Sequence, residues 1–145
     1  MNFTTMEEEL VRDEGLRLRP YTCSAGHLTI GVGHKITGRE SLGDTISLEV
    51  AGMLLTRDIA TALAAATRIF GRECFEGFDE ARQRAIVNMI FNLGEDRFRG
   101  FKRMIAAIQA GSWSDAAAHC LDSKYAQQVG ERAKRVARQL REGGA

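Results

Sequence analysis

Apolar positions along the chain change period twice, and the changes divide it into three stretches. In the first, Met6, Leu10 and Val11, with Leu18 further on, give an apolar helical face that begins after Thr4 or Thr5. Thr5 and Glu8 have the spacing of a capping box, in which hydroxyl and carboxylate each satisfy an orphan amide. Gly15 is the expected stop, which places Glu14 at the C-terminal end of that helix. The second stretch, residues 20–34, is not helical. Pro20 excludes it, and Tyr21-Thr22, the turn-like Ser24-Ala25-Gly26, Leu28-Thr29-Ile30 and Gly31-Val32-Gly33-His34 predict a small hairpin or meander. In the third, Leu48, Ala51, Leu55, Ile59, Ala62, Leu63 and Ala66 recur at helical spacing from Ser47 to about Phe70. A helix of that length spans about 35 Å, which suggests a strut between two lobes, with Gly71 as its stop.

Beyond the strut the pattern is helical. Asp79 is placed to cap a helix reaching Leu93, with Ala85, Ile86, Met89, Ile90 and Leu93 inward and Gly94 at its end. A helix from Phe98 to Ala110 ends at Gly111, Ser112 is placed to cap another to about Leu121, and a last helix covers about Gly130 to Leu140. The tail from Gly143 to Ala145 is expected to fray. The fold class is α+β and mainly α. One domain is expected, with a β-containing lobe over 14–46, a connecting helix over 47–70 and a helical lobe over 71–145 against which the N-terminal helix packs.

At 145 residues and 44% hydrophobic content the chain can bury a core without metal or disulfide staples. Twenty Lys+Arg against nineteen Asp+Glu argue against a dedicated nucleic-acid binder. Three cysteines, Cys23, Cys74 and Cys120, without paired spacing, argue against a disulfide framework and a structural zinc site. Glu7, Glu8 and Glu9 stand where a signal peptide is basic and then apolar. No unbroken apolar run approaches the roughly 18 residues that cross a bilayer. The expectation is a soluble cytosolic chain. Arg132, Lys134, Arg135, Arg138 and Arg141 make the last helix basic, as a solvated face or as a contact for an anionic polymer or membrane.

Chemistry concentrates around the β stretch. A carboxylate at a helix C-terminus faces the negative end of the dipole, so the placement of Glu14 is a sign that it serves chemistry. Cys23 and Thr29 follow, with eight and five intervening residues. A Cys–His nucleophile pair between Cys23 and His27 lacks a third, orienting group. A metal site from Cys23, His27 and His34 lacks a fourth ligand. Cys74 and Cys120 read as inert buried thiols, and Phe91, Phe101 and Trp113 as core.

The stretch Glu14-Gly-Leu-Arg-Leu-Arg-Pro-Tyr21, then Cys23, then Thr29-Ile-Gly-Val-Gly-His34, resembles the active-site signature of the phage-type lysozymes. Asn88-Met-Ile-Phe-Asn-Leu-Gly-Glu95, Phe101, Trp113-Ser-Asp-Ala-Ala117 and Arg132-Ala-Lys-Arg-Val136 follow in the family's order, so the likeness covers nearly the whole chain. It implies a lysozyme-like fold with the active-site cleft between the lobes. It also implies hydrolysis of the β-1,4 bond between N-acetylmuramic acid and N-acetylglucosamine in bacterial peptidoglycan. No cofactor or metal is implied. A monomeric endolysin is expected, made in the host cytoplasm without a signal peptide and released to its substrate through holin lesions.

By the same resemblance Glu14 is the acid that protonates the leaving oxygen, Arg132 pairs with it, and Thr29 positions the attacking water, in a scheme that inverts the anomeric centre. Asn92, Gly94 and the segment from Trp113 to Lys124 belong to substrate binding. His34 and Asp58 form a structural salt bridge. Cys23 departs from the family, whose better-known members carry aspartate there. Its thiol has several readings: base, electrostatic stabiliser or nucleophile as thiolate, with Arg19, His34 or Lys35 lowering its pKa, or a small hydrophobe filling the aspartate's place. A catalytic thiol implies redox sensitivity. Two rivals stand beside hydrolysis: a lytic transglycosylase leaving 1,6-anhydro ends, and a non-catalytic peptidoglycan-binding module.

Overall fold

Asn2, not Thr5, starts the first helix. In the computed structural model, which describes residues 1–38 and 40–145, α1 spans Phe3–Glu14, and the Asn2 side-chain oxygen accepts from the Thr5 N–H at 3.1 Å. That bond satisfies an orphan amide one turn before the expected capping box. The helix ends at Gly15 as the sequence predicts, with the Gly15 N–H bonded to the Val11 carbonyl. Met6 and Leu10 are fully buried, whereas Val11 is exposed, so the apolar face is narrower than its spacing suggests.

Strands β1 (Arg17–Thr22), β2 (Leu28–Gly31) and β3 (His34–Lys35) make the expected meander, antiparallel in the order β1-β2-β3. Pro20 sits in β1, an edge strand, where its missing N–H costs no central ladder bond. The register shifts by a bulge between Arg17 and Tyr21, around that proline. Thr29 is then paired with Tyr21 on one side and Lys35 on the other, and Ile30 with His34. Ile30 packs with Ile46, Ala51 and Leu54, against which Ile36, Leu42 and Val50 close.

Helix α2 spans Leu48–Phe70, started by Ser47, whose hydroxyl accepts from the Val50 N–H at 3.1 Å. Of its predicted inward positions, Ala51, Leu55, Ile59, Ala62 and Ala66 are buried, while Leu48 in the first turn is 65% exposed. By length and composition α2 is long and apolar enough to cross a bilayer. No unbroken apolar run marks it in the sequence, because Arg57 and Asp58 interrupt it. Its buried positions, among them Ala51, Leu55, Ile59 and Ala66, are used in the core.

The chain divides into two compact units, residues 2–61 and residues 62–145 with Met1. The division falls inside α2, so each unit holds part of the helix expected to connect them, and α1 belongs to the first. In the second unit follow α3 (Arg72–Glu76), α4 (Glu80–Leu93), α5 (Glu95–Arg99), α6 (Lys102–Gln109), α7 (Trp113–Leu121), α8 (Lys124–Val129) and α9 (Glu131–Glu142). Asp79 caps α4 through the Arg82 N–H at 3.0 Å, as predicted. This helix is buried almost all round, including Gln83, Arg84 and Asn88, and serves as the unit's central element. Phe70, Phe78, Phe98, Phe101, Tyr125 and Trp113 meet one another in a run of edge-to-face and tilted contacts in the same unit.

Three expectations for the helices and tail of this unit fail. The single helix from Phe98 to Ala110 is two, α5 and α6. Its chain leaves helical geometry at Phe101, and α5 is pinned separately by Glu95, which accepts from Arg68 at 2.6 Å and Arg99 at 2.8 Å. Ser112 precedes α7 but its side chain makes no capping bond. The tail does not fray: Gly144 accepts from the Ala81 N–H at 3.0 Å and Ala145 from Arg84 at 2.8 Å.

Candidate active site

Glu14 is the last residue of α1, and its half-buried side chain reaches the turn between β2 and β3. Three residues, Gly31 to Gly33, make that turn between the paired Ile30 and His34. Gly33 has φ +65°, a left-handed conformation that glycine adopts without a Cβ penalty. The Glu14 carboxylate lies directly on it: a Cβ at Gly33 would stand 2.6 Å from Oε2 and 2.7 Å from Cδ.

The turn from Cys23 to His27 is tied by its backbone, with the Cys23 N–H on the His27 carbonyl and the Gly26 N–H on the Cys23 carbonyl, each at 2.9 Å. Burial pushes the Cys23 thiol up, but hydrogen bonds from the His27 backbone, the Thr29 hydroxyl and the Ala25 backbone, with the charge of Lys35, outweigh it. The net shift is downward, toward thiolate. Of the cations near Cys23 in the sequence, Lys35 is the one that acts here. His27 contributes its backbone carbonyl to the turn, accepting from the Cys23 N–H and the Thr29 hydroxyl.

Thr29 is 2% exposed, and its hydroxyl donates to the His27 carbonyl at 2.9 Å. A hydroxyl has one proton and two lone pairs. That one proton can serve the His27 carbonyl or the Cys23 thiolate, and in either case Oγ1 can still accept from water. Tyr21, opposite Thr29 in the register, is held above its ordinary pKa by burial and then by the negative charges of Glu14 and Cys23, with Arg17 opposing. Arg17 stacks on its ring at 4.5 Å. Glu14, Tyr21, Cys23 and Thr29 are thus electrostatically linked within one unit.

His34 is buried, with Nδ1 2.6 Å from Asp58 and Nε2 2.8 Å from Glu40. The predicted bridge is present, and a second carboxylate completes it. Burial alone would lower the imidazole pKa; the bonds and charges of Asp58 and Glu40 outweigh it and raise the value above 6.5.

The remaining expected residues lie in the second unit. Asn92 is half-buried in the last turn of α4, and Gly94 ends that helix with its N–H on the Ile90 carbonyl at 2.7 Å. Arg132, at the start of α9, is buried, and its Nε donates to Asn88 Oδ1 at 2.9 Å. An open pocket of about 360 Å³ is walled by Leu93, Phe101 and Tyr125 and rimmed by Arg97 and Lys124. Trp113 packs edge-on to Phe78 at 5.0 Å under the Arg82 guanidinium, a structural placement. Cys120 is buried, its thiol pushed up to about 12 by desolvation. Cys74, expected to be buried, is exposed. Among the described residues no group of three His, Cys, Asp or Glu side chains is arranged for a metal ion.

A small, mainly helical α+β chain that sets a helix-end carboxylate against a three-stranded meander, beside a thiol and a buried hydroxyl, has the construction of a lysozyme-type protein. Residues 11–142 match the model of the family described as phage lysozyme, and the chain belongs to that family. It is 33% identical over 91% of its length to the pre-baseplate central spike protein Gp5 of Enterobacteria phage T4, of which it spans only 27%. It is 26% identical to the probable T4-type lysozyme 1 of Dictyostelium discoideum, covering 92% of this chain and 91% of that one. To the endolysin of Acyrthosiphon pisum secondary endosymbiont phage 1 it is 31% identical, over 83% of this chain and 78% of the relative.

Proposed function

We propose that this protein cuts bacterial peptidoglycan by hydrolysing the β-1,4 bond between N-acetylmuramic acid and N-acetylglucosamine, in the manner of a phage endolysin acting after release from the host cytoplasm. The observation that carries the reading is the seating of Glu14 on the β2–β3 turn, in the same unit as the Cys23–Thr29 pair. Glu14 gives its proton to the glycosidic oxygen as the bond to the anomeric carbon breaks. A water accepted at Thr29 attacks that carbon from the opposite face. Cys23, biased toward thiolate, stabilises the positive charge on the sugar and takes the proton the water loses, and solvent returns the proton to Glu14. Inversion follows from the single displacement. Asn92, Gly94 and Arg132 are assigned to holding the glycan.

The test is mass spectrometry of muropeptides released from purified peptidoglycan, with Glu14→Gln run alongside. Reducing-end fragments from the wild type alone are expected. One observation favours a second reading, lytic transglycosylation: a thiol stands where the family's hydrolases carry a carboxylate. Anhydro ends would establish it. Fragments from neither protein would leave a binding module.

A further inference from the structure

Glu14 is attached to the last turn of α1, followed by a glycine, and the ordinary rotamers of glutamate allow its carboxylate several positions. A general acid works only from one, and a displacement of about 1 Å can cost roughly 100-fold in rate. The structure supplies a stop for it. The Gly33 Cα presents a bare surface, and all three atoms nearest to a methyl placed there belong to Glu14: Oε2 at 2.6 Å, Cδ at 2.7 Å and Cγ at 2.9 Å. Real Cβ contacts do not fall below 3.0 Å, so one of the two groups must move. Gly33 is fixed by the turn joining β2 to β3, whereas Glu14 Cδ and Oε2 are the far end of a flexible side chain. The acid moves.

Resting on the reading of Glu14 as the acid, we propose that Gly33 is its positioning residue: the bare Cα sets the depth at which the carboxylate stands, and any side chain there drives the acid out of register with the glycosidic oxygen. Gly33 touches no reacting atom in this scheme and acts through Glu14.

Backbone strain is the competing effect, because any L-residue at φ +65° is disfavoured. Gly111 separates the two. Its φ is +71°, nothing lies within 4 Å of a Cβ built on it, and it sits between α6 and α7 in the other unit. Gly33→Ala, Gly111→Ala, Glu14→Gln, Glu14→Asp and Gly33→Ala/Glu14→Asp are compared for kcat, KM and Tm. The expected result is a loss of about 100-fold in kcat for Gly33→Ala, with KM within about 2-fold, and full kcat for Gly111→Ala. Aspartate is one methylene shorter and withdraws from the turn, so Gly33→Ala should cost less kcat in the Glu14→Asp background than in the wild type. Wild-type kcat in Gly33→Ala, or additive losses in the double variant, would overturn the proposal.

Should Gly33→Ala fold poorly, Tm carries the same test. Adding Glu14→Ala to Gly33→Ala should return the part of the Tm loss that exceeds that of Gly111→Ala, and no return would overturn the contact. An active Glu14→Gln would instead overturn the acid assignment, while the Tm comparison still decides whether the two residues touch.

Discussion

His34 and Asp58 meet at 2.6 Å, and the far side of the same ring meets Glu40 at 2.8 Å. An imidazole bonded at both nitrogens to carboxylates is best satisfied when both nitrogens carry protons. Its folded pKa is raised above 6.5, so the charged form favours folding. The contribution is full below about 6.5 and is lost as pH rises through the raised value. His34→Asn should therefore cost about 1.5–3 kcal/mol at pH 5.5 and less at pH 9. Denaturant melts across that range check it; parallel curves for the variant and the wild type would refute it. Glu40→Gln keeps the shape and removes one charge, and should move the window to lower pH.

Cys23 links the site to redox conditions. Its bias toward thiolate and its partial exposure favour oxidation. Mild peroxide should abolish activity and reductant should restore it, with the modification located on Cys23 by peptide mass. Full activity after confirmed oxidation of Cys23 would remove the thiol from the mechanism. Cys23→Asp should retain lysis and lose the peroxide sensitivity.

Arg82 is the chief clasp of the second unit. It donates to the Leu140 carbonyl at 2.8 Å, the Arg141 carbonyl at 3.0 Å and Asp79 at 3.0 Å, and stacks on Trp113 at 4.4 Å. Lysine cannot serve those directions from one ammonium. Both Arg82→Ala and Arg82→Lys should lower stability, the former by about 2–3 kcal/mol, read by thermal melts with Arg138→Ala as an exposed control. A loss under about 0.5 kcal/mol, typical of a surface site, would contradict the role.

The basic helix α9 offers Lys134, Arg138 and Arg141 to solvent or an anionic surface, while Ala133, Val136, Ala137 and Leu140 are buried in the protein. An amphipathic helix enters a bilayer by its apolar face, and here that face is committed to the core. Glu14→Gln should accordingly bind anionic vesicles weakly, in a salt-sensitive way, and should not kill cells. Killing by the inactive variant would show that α9 leaves the fold.

What the sequence made legible was the punctuated part of the fold. Asp79 and Gly94 bracket α4 because a cap and a stop are local signals. Helices α3, α5 and α8, of five, five and six residues, are too short to show a period. The break at Phe101 is masked because Phe98, Phe101, Ile105 and Ile108 keep helical spacing across it, although Gly100 just before it is a stop signal. At the site, the order of Glu14, Cys23, Thr29 and His34 can be read, and Gly31 and Gly33 can be read as bends. That Gly33 abuts the acid cannot, since closeness across a turn leaves no trace in spacing. Glu40 escapes for a similar reason: it comes from irregular chain, where no pattern says which way a carboxylate points. Lys35 is legible as one of several cations near Cys23, but only the strand register singles it out.

Cys120, with no exposed surface on α7 and its thiol pushed up to about 12, is a sealed reporter. A thiol reagent will take Cys74 at once, Cys23 at a rate set by its ionisation, and Cys120 only when the helices around it part. Its labelling rate therefore times the opening of the helical unit, and the protein carries that clock without an engineered residue.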